Sequence, residues 1–276
     1  MDIFSGYRFE NGIYVNPRLS HSGQEGEAEF RRSVAARRYD NYLEEISQHH
    51  SVAVMTREAH RFLRELPKNA MIVDVGGCWG WHWRHLSDRR PDVTVVIVDF
   101  IADNLSHARV VLGDQVGRNI RLCADNACAL GFGDETFDGY WSVQCLQHIP
   151  AWAQAIGEAH RVLKPGGRFV NHTLNRQWLF EGIARMLHRT YVVEGQAGSY
   201  YLNRDIGAIQ AEIERAFGRP AQRRYSEILF EAGLRLGFNA GRDGSALGAV
   251  DSLLTEVGYL FAPIARQIGL EVVKTG

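Results

Sequence analysis

Apolar residues recur along this chain in two rhythms, one helical and one of short unbroken runs. Residues 1–25 carry Gly, Asn, Pro and Ser breakers and read as an irregular arm. From about Glu27 to Ile46, Phe30, Val34, Tyr39 and Leu43 lay a broad apolar stripe along one helix. A second helix over Val52–Leu66 stops at Pro67. Beyond it, Val/Ile-rich runs alternate with helical stretches. Strands are predicted at Ala70–Val75, Val93–Asp99, the NIRLCA run ending at Asp125, Phe137–Val143 and Arg168–His172. Helices are predicted between them at about Trp79–Leu86, Ile101–Leu112 and Ala151–Leu163; in the last, Trp152, Ile156, Ala159 and Leu163 share one face. Strands that are apolar on both sides, separated by helices, predict a parallel sheet covered on both faces.

After residue 175 the pattern turns mainly helical up to 266, with Gly/Asn/Asp breaks near 195–205 and 238–245. Val250, Leu253, Leu254, Val257, Leu260, Phe261 and Ile264 form a strong stripe that either packs on the core or makes a dimer face. LEVVK (Leu270–Lys274) predicts a strand that rejoins the sheet. The expected organisation is an N-terminal arm and helical lid (1–66), an α/β core (67–175), a mainly helical substrate cap (176–266) and a return strand (267–276).

Composition narrows the classes of function. The 276 residues are 45% hydrophobic and 23% charged, with a formal net charge of −1. That balance builds no field to gather nucleic acid or an anionic membrane, and the arginine clusters at 31–38, 89–90 and 223–224 read as solvated helix faces. The first residues lack a signal-peptide pattern, and no apolar run reaches the roughly 20 residues of a membrane span. Cys78, Cys123, Cys128 and Cys145 show no CxxC pairing and read as reduced thiols, so a cytoplasmic location is expected.

The stretch MIVDVGGCWG (71–80) joins a strand ending in Asp74 to Gly76, Gly77 and Gly80 and then to a helix start. Glycine there allows close approach of backbone to a ligand, and a helix N-terminus offers free N–H groups, as in a nucleotide-cofactor cradle. Three further segments follow in order: Asp99-Phe100 closing the second strand, ADNA (124–127) after the third, and FDGYWSVQCLQHIP (137–150) leading to HRVLKPGGRFV (160–170). Together the four resemble a class I S-adenosylmethionine-dependent methyltransferase, with RVLKPGGRF the most specific of them. The resemblance covers about residues 70–172. It implies a doubly wound, mostly parallel seven-stranded Rossmann-like sheet with N-terminal helices and a mainly helical insertion after strand five.

The resemblance also implies S-adenosylmethionine as cofactor and S-adenosylhomocysteine as product. Asp99 would accept the ribose hydroxyls, Phe100 would pack on adenine, and Asp125 would accept the adenine amino group beside Asn126 and Ala127. Asp74 would attract the methionine ammonium while Gly76, Gly77 and Gly80 let that tail lie on the backbone; Ser142 joins the cofactor set. The family usually places glycine where Cys78 stands. Either Cys78 takes a positive φ at about 1 kcal/mol of strain, or Gly77 takes the special conformation.

Methyl transfer is an in-line displacement at an activated carbon, so alignment supplies much of the rate, and a hydroxyl acceptor benefits from a base. His148, after the fourth strand, is the candidate base, which favours oxygen as the acceptor atom. Tyr39 and Tyr42, with His49 and His50, are lid candidates; Tyr39, Tyr42, Trp81, Tyr191, Tyr200, Tyr201 and Arg204 are pocket candidates. Cys78, His82 and His85 lack a fourth ligand at metal-site spacing, so no metal is expected. The expected partner is a small-molecule acceptor, with no nucleic acid and no membrane, and a homodimer is an alternative to a monomer. Two rivals stand beside this expectation. A nicotinamide oxidoreductase shares the strand–glycine–helix start, but the glycines here read GGxxG and follow a carboxylate inside the strand. A degenerate, non-enzymatic scaffold has Cys78 in its favour. Binding of S-adenosylmethionine, of NAD or of neither separates the three.

Overall fold

Five of the apolar runs become the parallel centre of one sheet. The computed structural model describes residues 3–20, 23–191, 202–203 and 205–276. In chain order the elements are β1 (Arg8–Glu10), β2 (Ile13–Val15), α1 (Glu25–Ala35), α2 (Tyr42–Ser47), α3 (Val52–Arg64), β3 (Met71–Val75), α4 (Leu86–Arg89), β4 (Thr94–Asp99), α5 (Ala102–Leu112), β5 (Ile120–Ala124) and β6 (Phe137–Val143). There follow α6 (Trp152–Val162), β7 (Leu163–Leu174), α7 (Trp178–Met186), α8 (Ile206–Phe217), β8 (Gln222–Ser226), α9 (Phe230–Leu236), α10 (Ala246–Leu254) and β9 (Gln267–Val273). Among the described residues the sheet has nine strands in the order β1-β2-β5-β4-β3-β6-β7-β9-β8, not seven. Strands β5, β4, β3, β6 and β7 run parallel, and β9 and β8 close the far edge antiparallel.

From β3 the chain winds outward through β4 and β5, then returns to build β6 and β7 on the other side. The strand order therefore reverses between β3 and β6, and the crevice at their carboxyl ends is where such sheets bind ligands. Neighbouring residues on each strand serve opposite cores. Val73, Val96, Tyr140 and Phe169 pack with Ile156 of α6 and Ile209 and Ile213 of α8, whereas Ile72, Val95, Trp141 and Val170 pack with Met55, Ala59 and Phe62 of α3. This two-faced burial makes the runs unbroken rather than alternating.

The N-terminal arm is not irregular. Asn11 (φ 51°) and Gly12 (φ 81°) form the two-residue turn of a hairpin in which Glu10 faces Ile13, and β2 then adds to the sheet beside β5. The single helix expected over 27–46 is two helices. Asn41 interrupts it, its side chain accepting the Glu44 N–H at 3.2 Å and donating to the Glu44 carboxylate at 3.3 Å. The helix expected from Trp79 shrinks to a 3-10 turn over Trp81–Trp83 followed by α4. Trp79, Trp81 and Trp83 are all buried, a spacing of two that leaves an α-helix no polar face.

The segment after β7 is helical but contributes β8, an edge strand whose Arg224 makes a two-pronged pair with Glu58 of α3 (2.6 and 2.9 Å). The 250–264 stripe does not pack wholly on the core: Val250, Leu253, Val257 and Leu260 are exposed. No helix among the described residues is long and apolar enough to cross a membrane.

Candidate cofactor and active site

The crevice is built first by the glycine loop, whose N–H groups are tied to the neighbouring strand. Gly76 and Gly77 donate to Val98 O (2.8 and 3.2 Å), Cys78 donates to Asp99 Oδ2 (3.2 Å), and Gly80 donates to Gly77 O (2.8 Å). The expectation of a helix N-terminus offering free N–H groups is corrected accordingly, because the loop turns into only a three-residue 3-10 segment. Positive φ falls on Gly76 (74°), Cys78 (49°) and Gly80 (67°), so the strained residue is Cys78 and not Gly77. Gly77 is small for a different reason. A Cβ there would lie 2.5 Å from Asp74 Oδ2 and 2.7 Å from Ile97 Cγ2, while one at Gly76 would collide with the Cys145 side chain. Cys145, at the end of β6, is thus the floor of the loop.

The three acids differ in what they still have to offer. Asp74 accepts the Trp83 indole N–H on Oδ2 at 2.7 Å, leaving Oδ1 without a partner among the described residues. Asp99 accepts Ile101 N–H (2.8 Å) and Asn104 (3.3 Å) on Oδ1 and Cys78 N–H on Oδ2, which keeps one acceptor site on Oδ2 open. Asp125 is full: Tyr7 (2.5 Å) and Gly131 N–H (2.9 Å) donate to Oδ2, Asn16 (2.7 Å) and Asn126 N–H (2.8 Å) to Oδ1. The adenine role expected of Asp125 is corrected on this geometry, since a carboxylate has about four acceptor sites and all are taken. Asp125 instead pins the N-terminal segment to the sheet. Asn126 is committed too, its Oδ1 accepting Cys128 N–H (2.9 Å) and its Nδ2 donating to Ser20 O (3.1 Å).

Burial pushes the Asp74 carboxyl up to about 7, against the lowering effect of the Trp83 bond and with a further upward push from Asp99. Burial likewise raises Asp99 to about 6, opposed by its bonds to Ile101 and Asn104 and by the Arg31 charge from α1. Both groups bind an extra proton in the folded chain between the ordinary carboxylate range and these values. Each therefore adds stability to the free chain as pH falls from about 7 toward 4, while the ionised forms that attract an ammonium or accept hydroxyls are lost. The affinity for a cationic, ribose-bearing cofactor is expected to be about thirtyfold lower at pH 5.5 than at pH 8 from the Asp74 ionisation alone, read by calorimetry. Asp74→Asn should flatten most of that dependence.

The remaining candidates separate into three groups. Phe100 packs against Ala28, Ala35 and Ile101, toward α1. Tyr39, between α1 and α2, and Tyr42, the first residue of α2, sit on Trp79 at ring distances of 4.4 and 5.2 Å, and Tyr42 OH meets His107 Nδ1 at 3.1 Å. Trp81 lies against His82 (4.0 Å) with Arg84 over its ring (5.6 Å).

Ser142 is fully buried on β6, opposite Asn171 of β7, and neither its Oγ nor the Asn171 amide has a partner among the described residues. His148 ends a 3-10 turn after β6 and is buried. Gln147 Oε1 accepts Thr173 OH and Leu174 N–H (2.9 Å), which turns its amide nitrogen to His148 Nε2 at 3.2 Å. That nitrogen carries the lone pair, so the proton of the neutral ring sits on Nδ1. Tyr191 donates to Gln177 Oε1 (2.9 Å), while Tyr200, Tyr201 and Arg204 lie outside the described residues. Among the described residues no three His, Cys, Asp or Glu side chains are grouped to hold a metal. The sequence offered no signal for Arg31 or Cys145 at this site; Tyr7 and Asn16 were hidden in a segment read as irregular.

A strand-order reversal over a glycine loop flanked by two buried acids, in a mostly parallel sheet, is the arrangement of a nucleotide-cofactor site in a doubly wound fold. Residues 73–171 match the profile of a family described as a methyltransferase domain. S-adenosylmethionine, the cofactor that the resemblance implies, would find partners for its ammonium and ribose in the acceptor sites left on Asp74 and Asp99.

The chain is 35% identical over 141 residues to the ubiquinone/menaquinone biosynthesis C-methyltransferase UbiE of Methylobacterium nodulans, covering 50% of this chain and 55% of that protein. It is 31% identical over 147 residues to the demethylmenaquinone methyltransferase of Lactiplantibacillus plantarum, covering 49% and 62%. The alignments thus span less than two thirds of these relatives. Among solved structures, a Haemonchus contortus phosphoethanolamine N-methyltransferase bound to phosphomonomethylethanolamine and S-adenosylhomocysteine superposes with a TM-score of 0.54 at 19% identity, over 79% of this chain and 52% of that one. A complex of the Haloferax volcanii Trm112 methyltransferase activator with a methyltransferase gives 0.60 at 14% identity, over 90% and 97%.

Proposed function

We propose that this protein transfers the methyl group of S-adenosylmethionine to a small-molecule acceptor, in the cytoplasm. The observation that carries the proposal is the pair Asp74 and Asp99, which keep open acceptor sites on either side of the glycine loop at the strand-order reversal. Asp99 Oδ2 holds a ribose hydroxyl, and Asp74 Oδ1 attracts the ammonium of the methionine tail. S-adenosylmethionine supplies a methyl carbon made electrophilic by its sulfonium. The chain supplies alignment and exclusion of water, the two factors that dominate such a displacement.

The acceptor atom is an oxygen, or a carbon activated by an adjacent hydroxyl, as the relatives named C-methyltransferases suggest. In either case a hydroxyl proton leaves, and His148 Nε2 takes it. What supports this role is the lone pair on Nε2, which a neutral Gln147 amide occupies in the free protein and the acceptor O–H replaces. His148→Ala is expected to lower kcat by about a hundredfold with little change in cofactor affinity. Incubation with labelled S-adenosylmethionine and pooled metabolites reads both points. Label in no metabolite refutes the transfer, and equal turnover by the variant at every pH removes His148.

A further inference from the structure

We propose that α7 and the apolar surface beside it dock the protein on an anionic lipid bilayer. No side chain of α7 is buried, although the helix carries the sequence WLFEGIARM. Trp178 is 58% exposed, Met186 81% and Leu187 61%. A helix on a soluble core buries its apolar stripe, so this one turns its stripe away from the core.

The patch extends on both sides. Leu179 N–H donates to Pro263 O (3.3 Å) and Gln177 to Ile264 O (2.6 Å), which sets α7 beside the 3-10 stretch Thr255–Phe261 with its exposed Tyr259 and Leu260. On the other side, Phe180 meets Tyr191 (5.8 Å), and Tyr191 holds Arg235 of α9 (4.8 Å), beside exposed Leu236 and Phe238. Exposed apolar side chains clustered in this way mark an interaction site.

Charge selects the occupant. Arg185 and Arg189 are exposed at the end of α7 and have no carboxylate partner among the described residues. A two-fold dimer through this face would set these cations against their own copies. Phosphate headgroups complement them, and an exposed Trp with flanking arginines on a short amphipathic helix suits the headgroup–acyl boundary. Because α7 follows β7 directly, the bilayer would lie against the carboxyl edge of the sheet, where the acceptor enters. The near-neutral whole-chain charge, which predicts no membrane contact, conceals this local asymmetry.

Sedimentation with vesicles of phosphatidylcholine alone, and with vesicles of which about a third is phosphatidylglycerol, tests the proposal. Binding is expected to the anionic vesicles and to weaken with added salt. Arg185→Gln with Arg189→Gln should lower the partition coefficient by roughly 25-fold, about fivefold per cation. Met186→Asp with Leu187→Asp should abolish binding while the thermal transition and cofactor affinity stay unchanged, since both side chains are exposed. No binding of the unaltered protein to anionic vesicles, or binding that survives both variant pairs, overturns the proposal. So does a solution dimer that the Met186→Asp/Leu187→Asp pair converts to monomer, for then a second copy covers the face.

Discussion

Replacing Asp99 with Ala is expected to lower the affinity for S-adenosylmethionine by about 100-fold in titration calorimetry. The figure follows from removing a charged acceptor. A hydrogen bond to an ionised carboxylate contributes about 1.5–3 kcal/mol, and the open site on Asp99 Oδ2 takes one ribose hydroxyl. About 3 kcal/mol is a factor of roughly 100 in affinity. The substitution also releases Cys78 N–H and Ile101 N–H, which Asp99 holds at 3.2 and 2.8 Å, so part of the loss is loosening of the glycine loop. Asp99→Asn, which keeps the shape and one acceptor oxygen, is expected to lose about tenfold. Unchanged affinity in Asp99→Ala would mean that the second strand's acid only caps α5.

The largest stability effect is expected far from the chemistry. Glu227 and Arg266 are both fully buried, with Arg266 Nη1 2.5 Å from Glu227 Oε2. The other carboxylate oxygen accepts Ser51 N–H at 2.9 Å, and Arg266 N–H returns to Glu227 O at 3.1 Å. The pair therefore knots the start of α3, the end of β8 and the start of β9 together. Glu227→Ala removes a buried charge from its partner, which costs about 3–5 kcal/mol. Arg266 would then face Glu231, whose carboxylate is 3.9 Å from its Nε. Urea unfolding checks the value, and Glu227→Leu combined with Arg266→Met should recover part of the loss. A shift below about 1 kcal/mol for the single variant would show that water enters the pair.

Much of this was legible in the sequence, and the misses have physical causes. The central strands were readable because burial on both faces leaves short Val/Ile runs, a pattern that neither an amphipathic helix nor an edge strand produces. The Asn11-Gly12 pair is a hairpin signature, but Gly, Asn and Pro around it read equally as loop. The strand β8 was hidden because its sequence, QRRYS, belongs to an edge, where arginines replace the apolar residues of a central strand. At the candidate site, the sequence placed Asp74 and Asp99 at strand ends, where the fold has them. The role of Asp125 was not legible, because it depends on Tyr7 and Asn16, more than a hundred residues away in sequence. Cys78 illustrates both sides. Its strain was foreseeable from the missing glycine, whereas its bond to Asp99, which helps hold it at φ 49°, required the fold.

Competition between cofactors tests most directly whether this crevice is an S-adenosylmethionine site. The unaltered protein is titrated with S-adenosylmethionine, S-adenosylhomocysteine and NAD in the calorimeter at pH 8, with Asp99→Ala as the control. Binding of the first two at one site, weakened in the control, with no heat from NAD, is the predicted result. Binding of NAD alone, or of none of the three, would contradict it.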